Sequence, residues 1–153
     1  MLFLRVLSRQ QLRKALEELK ELSFVATWET WEPNSRERTF IILDENKKIG
    51  LVTVDMKQEI VTCIDITKEG TSREQFDIIV QEMTKQLKLD KLKVYGFLSS
   101  VPNKGLVNRI TAFRQDKTAK LYLYGGKRNS GKLVGGYKND SKNQISSRRC
   151  KIT

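Results

Sequence analysis

The chain contains no histidine and only two cysteines, Cys63 and Cys150, far apart in sequence. Acid–base chemistry therefore falls to Asp, Glu, Tyr, Lys or water, and no metal site is expected. Three short patterns carry the outline of a chemistry. Gly126-Lys127-Arg128-Asn129-Ser130-Gly131-Lys132 fits the Gly-x4-Gly-Lys part of a phosphate-binding loop. However, Leu133 follows where a Ser or Thr hydroxyl should hold magnesium, and Gly135-Gly136 comes where a helix should begin. A basic hairpin tip is the better account. Asp44 with Asp55-Met56-Lys57 imitates the carboxylate spacing of metal nucleases. If Asp44 opens a hairpin turn, strand geometry of about 3.3 Å per residue sets the two aspartates on the order of 20 Å apart. One metal ion cannot span that gap. Cys150-Lys151-Ile152-Thr153, behind Arg148-Arg149, has the shape of a prenylation box, but four residues with a free second position arise readily by chance.

What remains is charge. Lys and Arg number 29 against 18 Asp and Glu, a net +11, and the excess is uneven. From Lys127 to the end there are eight basic residues against one acid, Asp140. Such a segment is drawn to phosphate polymers or anionic surfaces, with an attraction that weakens steeply in salt. Lys127, Arg128, Lys132, Lys138, Arg148 and Arg149 are the candidate phosphate contacts. They would be sequence-independent, because Lys and Arg read backbone rather than bases. Tyr137 adds one possible stacking ring. The competing reading is a solvated charged end that aids solubility.

These residues need a scaffold, and 153 residues suffice for one ordinary domain with a real core. No apolar run approaches the roughly 18 to 20 residues of a membrane helix. The opening MLFLRVLS is broken by Arg5 and lacks a small-residue cleavage site, so neither a secretory signal nor membrane association is expected.

Leu2–Leu7 reads as a strand. Ser8 and Gln11 fit a capping box, followed by an apolar stripe of Leu12, Ala15, Leu16, Leu19 and Leu22. Phe24–Pro33 holds both tryptophans, which either line a cleft or pack beneath a loop. Thr39–Leu43, a polar turn over Asp44–Lys48, and Ile49–Val54 form a hairpin that continues antiparallel into Glu59–Ile66. After Thr67–Ser72, the residues Phe76, Ile79, Val80, Met83 and Leu87 share one helical face. Leu92–Leu98 returns as a strand, making a right-handed βαβ crossover. Leu106, Ile110 and Phe113 mark a further helix, and Ala119–Tyr124 alternates as a strand. Gly125-Gly126 and Gly135-Gly136 bracket a basic loop and a short apolar return, and the tail from Lys138 shows no period. The expected fold is α/β (α+β) with a mixed central sheet in the order β-α-β-β-β-α-β-α-β. Residues 1–126 form the domain and residues 127–153 a basic hairpin and polar tail.

Over roughly Met1 to Tyr124 this order and spacing resembles the GNAT superfamily of N-acetyltransferases. The stretch VYGFLSSVPNKGLVNRITAF (Val94–Phe113) is similar to small GNAT-like virion proteins of podophages, in which a strand ends near Asn and a short basic helix follows. The resemblance implies that acetyl-CoA pyrophosphate would meet the loop Thr67–Ser72, at the amides of Gly70, Thr71 and Ser72, with Asn103 near the pantetheine arm. Against the superfamily pattern, Thr67 is neither Arg nor Gln, and Glu69 would repel phosphate. Ser72 with Gln75 also suits plain helix capping. The resemblance further implies a Tyr general acid in the last helix, where this chain has Ile110, Thr111 and Phe113. Tyr122 or Tyr124 would have to point into the cleft to replace it. Asp65 or Glu59 would order a water as base, or else stand as charged residues at a strand end.

The expected function is thus a GNAT-fold binding or structural protein with degraded catalysis and no cofactor. It would be an accessory or virion component of a phage or mobile element, in the host cytoplasm or the virion, within a larger assembly. Its basic C-terminal region would contact nucleic acid or an acidic protein. The alternative is a working acetyl-CoA-dependent N-acetyltransferase.

Overall fold

The computed structural model describes residues 1–22, 24–67, 73–95, 107–109, 120–125 and 132–136. The elements are β1 (Leu2–Arg5), α1 (Arg9–Glu18), α2 (Val25–Glu29), β2 (Glu37–Asp44), β3 (Lys47–Asp55), β4 (Ile60–Ile66), α3 (Arg73–Gln86), β5 (Leu92–Tyr95), β6 (Val107–Arg109), β7 (Lys120–Tyr124) and β8 (Lys132–Gly136). The strands form one mixed sheet in the order β1-β2-β3-β4-β5-β7-β8, with β6 attached to β4. Among the described residues no helix is long and apolar enough to cross a membrane.

Local chemistry explains most of these elements. Ser8 Oγ accepts from the Gln11 N–H at 3.2 Å, opening α1, while Gln11 Oε1 reaches back to the Leu7 N–H at 2.8 Å. This is a capping box displaced by one residue at its return arm. The β2–β3 turn is tighter than the Asp44–Lys48 loop expected. Asp44 pairs with Lys47, and only Glu45 (φ 52) and Asn46 (φ 68) lie between them. Positive φ at both positions marks a type I′ turn, whose twist matches that of the flanking strands.

Alternation along the strands splits the core into two layers. Phe40, Ile42, Val52, Val54, Ile64 and Ile66 face α3, where they meet Phe76, Ile79, Val80 and Met83. The α3 stripe expected from the helical period is therefore the buried face, with Leu87 partly buried beside it. Each such side chain removed from water contributes about 1.5–3 kcal/mol before entropy is counted. Ile41, Leu51 and Cys63 face the other way, against Val6, Leu12, Ala15, Leu19 and Trp28. The sheet thus lies between α3 on one side and α1 with α2 on the other.

The βαβ unit is present: β4 and β5 are parallel, with Ile60 opposite Lys93, and α3 connects them. Two features depart from the expected order. The short helix α2 has no counterpart in it. And Val107–Arg109, expected inside a helix marked by Leu106, Ile110 and Phe113, is a strand antiparallel to β4. The physical reason lies in β4. Beyond Ile60 it parts from β5, so the backbone groups of Cys63, Ile64 and Asp65 need other partners, and Arg109, Asn108 and Val107 stand opposite them.

Candidate functional site

The parting of β4 from β5 makes a fork at the centre of the sheet, and Asp65 sits on its β4 arm. A carboxylate flanked by Ile64 and Ile66 in an apolar strand must be exposed or supplied with donors. Here it has no exposed surface and lies on the sheet face covered by α2. Trp28 Nε1 donates to Asp65 Oδ2 at 2.9 Å, and the Phe24 N–H donates to the same oxygen at 2.8 Å. The reading of Asp65 as a charged strand-end residue at the surface does not hold. Glu59, the other proposed base, lies in the turn before β4 with φ 54, and its C=O accepts from the Lys93 N–H at 2.8 Å.

The second tryptophan repeats the arrangement one turn later. Trp31 Nε1 donates to Thr39 Oγ1 at 2.8 Å, and Thr39 and Thr53 share a hydroxyl–hydroxyl bond of 2.8 Å. Arg9 fixes the end of α2 from outside, donating to the C=O groups of Glu29 and Trp31 at 3.1 Å each. Of the two readings of the tryptophans, packing describes Trp28, which is 2% exposed. Trp31 is half-buried and, with the edge of Trp28, borders a cleft of about 460 Å³ that Asn34, Thr53 and Cys63 also line. The signal for this network was in the sequence: one acid inside an apolar strand, and two indole donors three residues apart.

Tyr122 and Tyr124 are on the other side. Both pack with the α3 layer, and Tyr124 Oη donates to Asp77 Oδ1 at 2.6 Å. The sheet therefore separates Asp65 from both tyrosines, and they cannot serve one substrate as base and acid. Gly70, Thr71 and Ser72 directly precede the first residue of α3 in sequence and, like Asn103, lie outside the described residues.

Two sequence patterns acquire structural roles. Asp44 stands at the turn end of the β2–β3 hairpin and Asp55 at the opposite end, across from Glu37. Asp55 holds the next turn: Oδ1 accepts from the N–H groups of Lys57 and Gln58 at 3.0 Å, and Arg36 Nε donates to Oδ2 at 3.0 Å. The stretch after Gly131 continues as the strand β8 and not as the helix a phosphate loop requires. Lys132 is exposed on β8, opposite Leu123. Lys127, Arg128, Lys138, Arg148 and Arg149 lie outside the described residues. No protein-family model and no curated protein sequence matches this chain.

Proposed function

We propose that the chain is a binding or structural protein on a GNAT-like scaffold, without acetyl transfer. Its basic C-terminal region is the working surface, contacting nucleic acid or an acidic partner. The observation that carries the first half is the filled fork. The arm of β4 from Cys63 to Asp65 is already paired with β6, so an extended cofactor arm would find no free strand edge there. The occupied carboxylate of Asp65 and the position of Tyr124 on the far face point the same way. For the second half, the support is the eight basic residues against one acid after Gly126. The mechanism is charge neutralisation with release of counterions, so the logarithm of the affinity falls linearly with the logarithm of salt concentration. The resemblance to small podophage virion proteins extends the proposal to an accessory or virion role.

Titration calorimetry with acetyl-CoA tests the first half: no heat is expected, and saturable binding would restore the acetyltransferase. Binding to single- and double-stranded DNA and RNA across a salt series, with and without residues 138–153, tests the second. A salt-independent response, or equal binding after truncation, removes the nucleic-acid surface.

A further inference from the structure

Helix α2 and the loop after it wall a cleft of about 460 Å³ against the sheet, within the roughly 300–1,000 Å³ of small-molecule sites. Both tryptophans of the chain border it. Each has its indole N–H committed elsewhere, to Asp65 and to Thr39, so what each offers the cleft is carbon surface. The half-buried Trp31 is the more open of the two.

The proton count on the sheet side of this cleft leaves one donor over. Thr39 Oγ1 accepts from Trp31 Nε1 and lies 2.8 Å from Thr53 Oγ1. Thr39 is 2% exposed, so a proton that it did not give to Thr53 would be buried unpaired, which is costly. Thr39 therefore donates to Thr53. The Thr53 hydroxyl, 7% exposed and bordering the cleft, keeps its own proton, for which the described residues supply no acceptor.

An acceptor stands beside it. In the β3–β4 ladder Thr53 pairs with Cys63 and Val54 with Val61, so Thr62 is the extra residue of a bulge. A bulge re-aims a side chain, and Thr62 also borders the cleft. Its hydroxyl donates to the Thr53 C=O at 3.3 Å, which leaves its lone pairs to accept.

We propose that this cleft binds a neutral pyranose sugar. One sugar hydroxyl accepts from Thr53 and donates to Thr62, while a C–H face of the ring lies on Trp31. A hydroxyl answers both threonines because it is donor and acceptor at once. A pyranose joins such hydroxyls to an apolar face, which suits indole carbon beside a polar wall. Asn34 Oδ1 accepts from the N–H groups of Arg36 and Glu37 at 2.7 and 3.3 Å, so its amide NH2 is left to donate at the rim. Glu32 and Glu37 add acceptors, and among the described lining residues none is basic. A phosphate-bearing ligand is therefore opposed, which sets this site apart from the basic C-terminal region.

The two tryptophans are the protein's own reporters. The full chain is titrated with the methyl pyranosides of glucose, galactose and mannose, and with maltose and lactose, against glycerol as a solvent control. A saturable change in indole emission is expected with at least one sugar. Saturation-transfer NMR then gives its affinity in the variants. Thr62→Val, which keeps the shape, and Asn34→Ala, at an exposed position, should each weaken it about three- to tenfold with the circular dichroism spectrum retained. Glu37→Gln keeps an acceptor and removes the charge, so affinity should hold within about twofold. Choline probes the alternative in which indole and carboxylates take a cation. No saturable response to any sugar, tighter binding of choline or glucose 6-phosphate than of the best neutral sugar, loss of binding in Glu37→Gln, or indifference to both Thr62→Val and Asn34→Ala would each overturn the proposal.

Discussion

The indole N–H of Trp28 and the carboxylate of Asp65 meet at 2.9 Å inside the layer between α2 and the sheet, where both residues are almost fully removed from solvent. A buried carboxylate is held there by its donors, so the contact is a structural commitment of the site. Trp28→Phe keeps an aromatic ring and deletes the donor. It should lower the unfolding free energy by about 1–3 kcal/mol, read as a shifted urea midpoint at unchanged slope. An unshifted midpoint would mean that the bond adds nothing.

Asp55 is expected to matter as a turn former and not as a metal ligand. Asp55→Ala removes the carboxylate oxygen that accepts from the N–H groups of Lys57 and Gln58. The expected cost is about 1–2 kcal/mol by chemical denaturation. Asp55→Asn, which keeps an oxygen for those amides, should cost less. The pairing with Arg36 contributes little to either figure because the Arg36 side chain is more than half exposed.

Gly50 sits on β3 opposite Ile66, the last residue of β4. A Cβ on Gly50 would stand 2.5 Å from the Asp65 C=O oxygen and 3.0 Å from Ile66 Cα, both backbone atoms with no rotamer to yield. Gly50→Ala should therefore destabilise by about 1–3 kcal/mol. Its thermal midpoint can be compared with Gly125→Ala, where a positive φ of 129° adds strain to the close approach of the new Cβ to the Asp90 C=O. The second variant is expected to be the weaker protein.

Tyr124→Phe separates a structural tyrosine from a catalytic one. The hydroxyl donates to Asp77 Oδ1 at 2.6 Å, so its removal should cost about 0.5–1.5 kcal/mol of stability. Nucleic-acid affinity should stay unchanged within a factor of about two, because the hydroxyl faces α3. A larger fall in affinity would move the binding surface onto this face of the sheet.

For the basic region, the salt slope is the discriminating quantity. Replacing Lys127, Arg128, Arg148 and Arg149 by Ala should flatten the log–log dependence of affinity on salt. The slope should fall by about 0.9 for each duplex phosphate that the variant no longer neutralises. Retention of the full slope in filter-binding or fluorescence titrations would place the contacts elsewhere on the chain.

The local pattern of residues determined the elements that carry their own period. Phe76, Ile79, Val80 and Met83 specified α3, the Leu12–Leu19 stripe and Ser8 specified α1, and the β-branched runs around Asp44–Lys48 specified the hairpin. In each, the burial of one face follows from a repeat of 3.6 or of two. The tertiary structure alone decided β6, because three residues, Val107 to Arg109, have no period of their own and become a strand only where β4 offers unpaired backbone. It also decided that Asp65 and Tyr124 stand on opposite faces of the sheet. Their types suggested an acid–base pair, but which side a strand residue occupies depends on register, and register is set by neighbours distant in sequence.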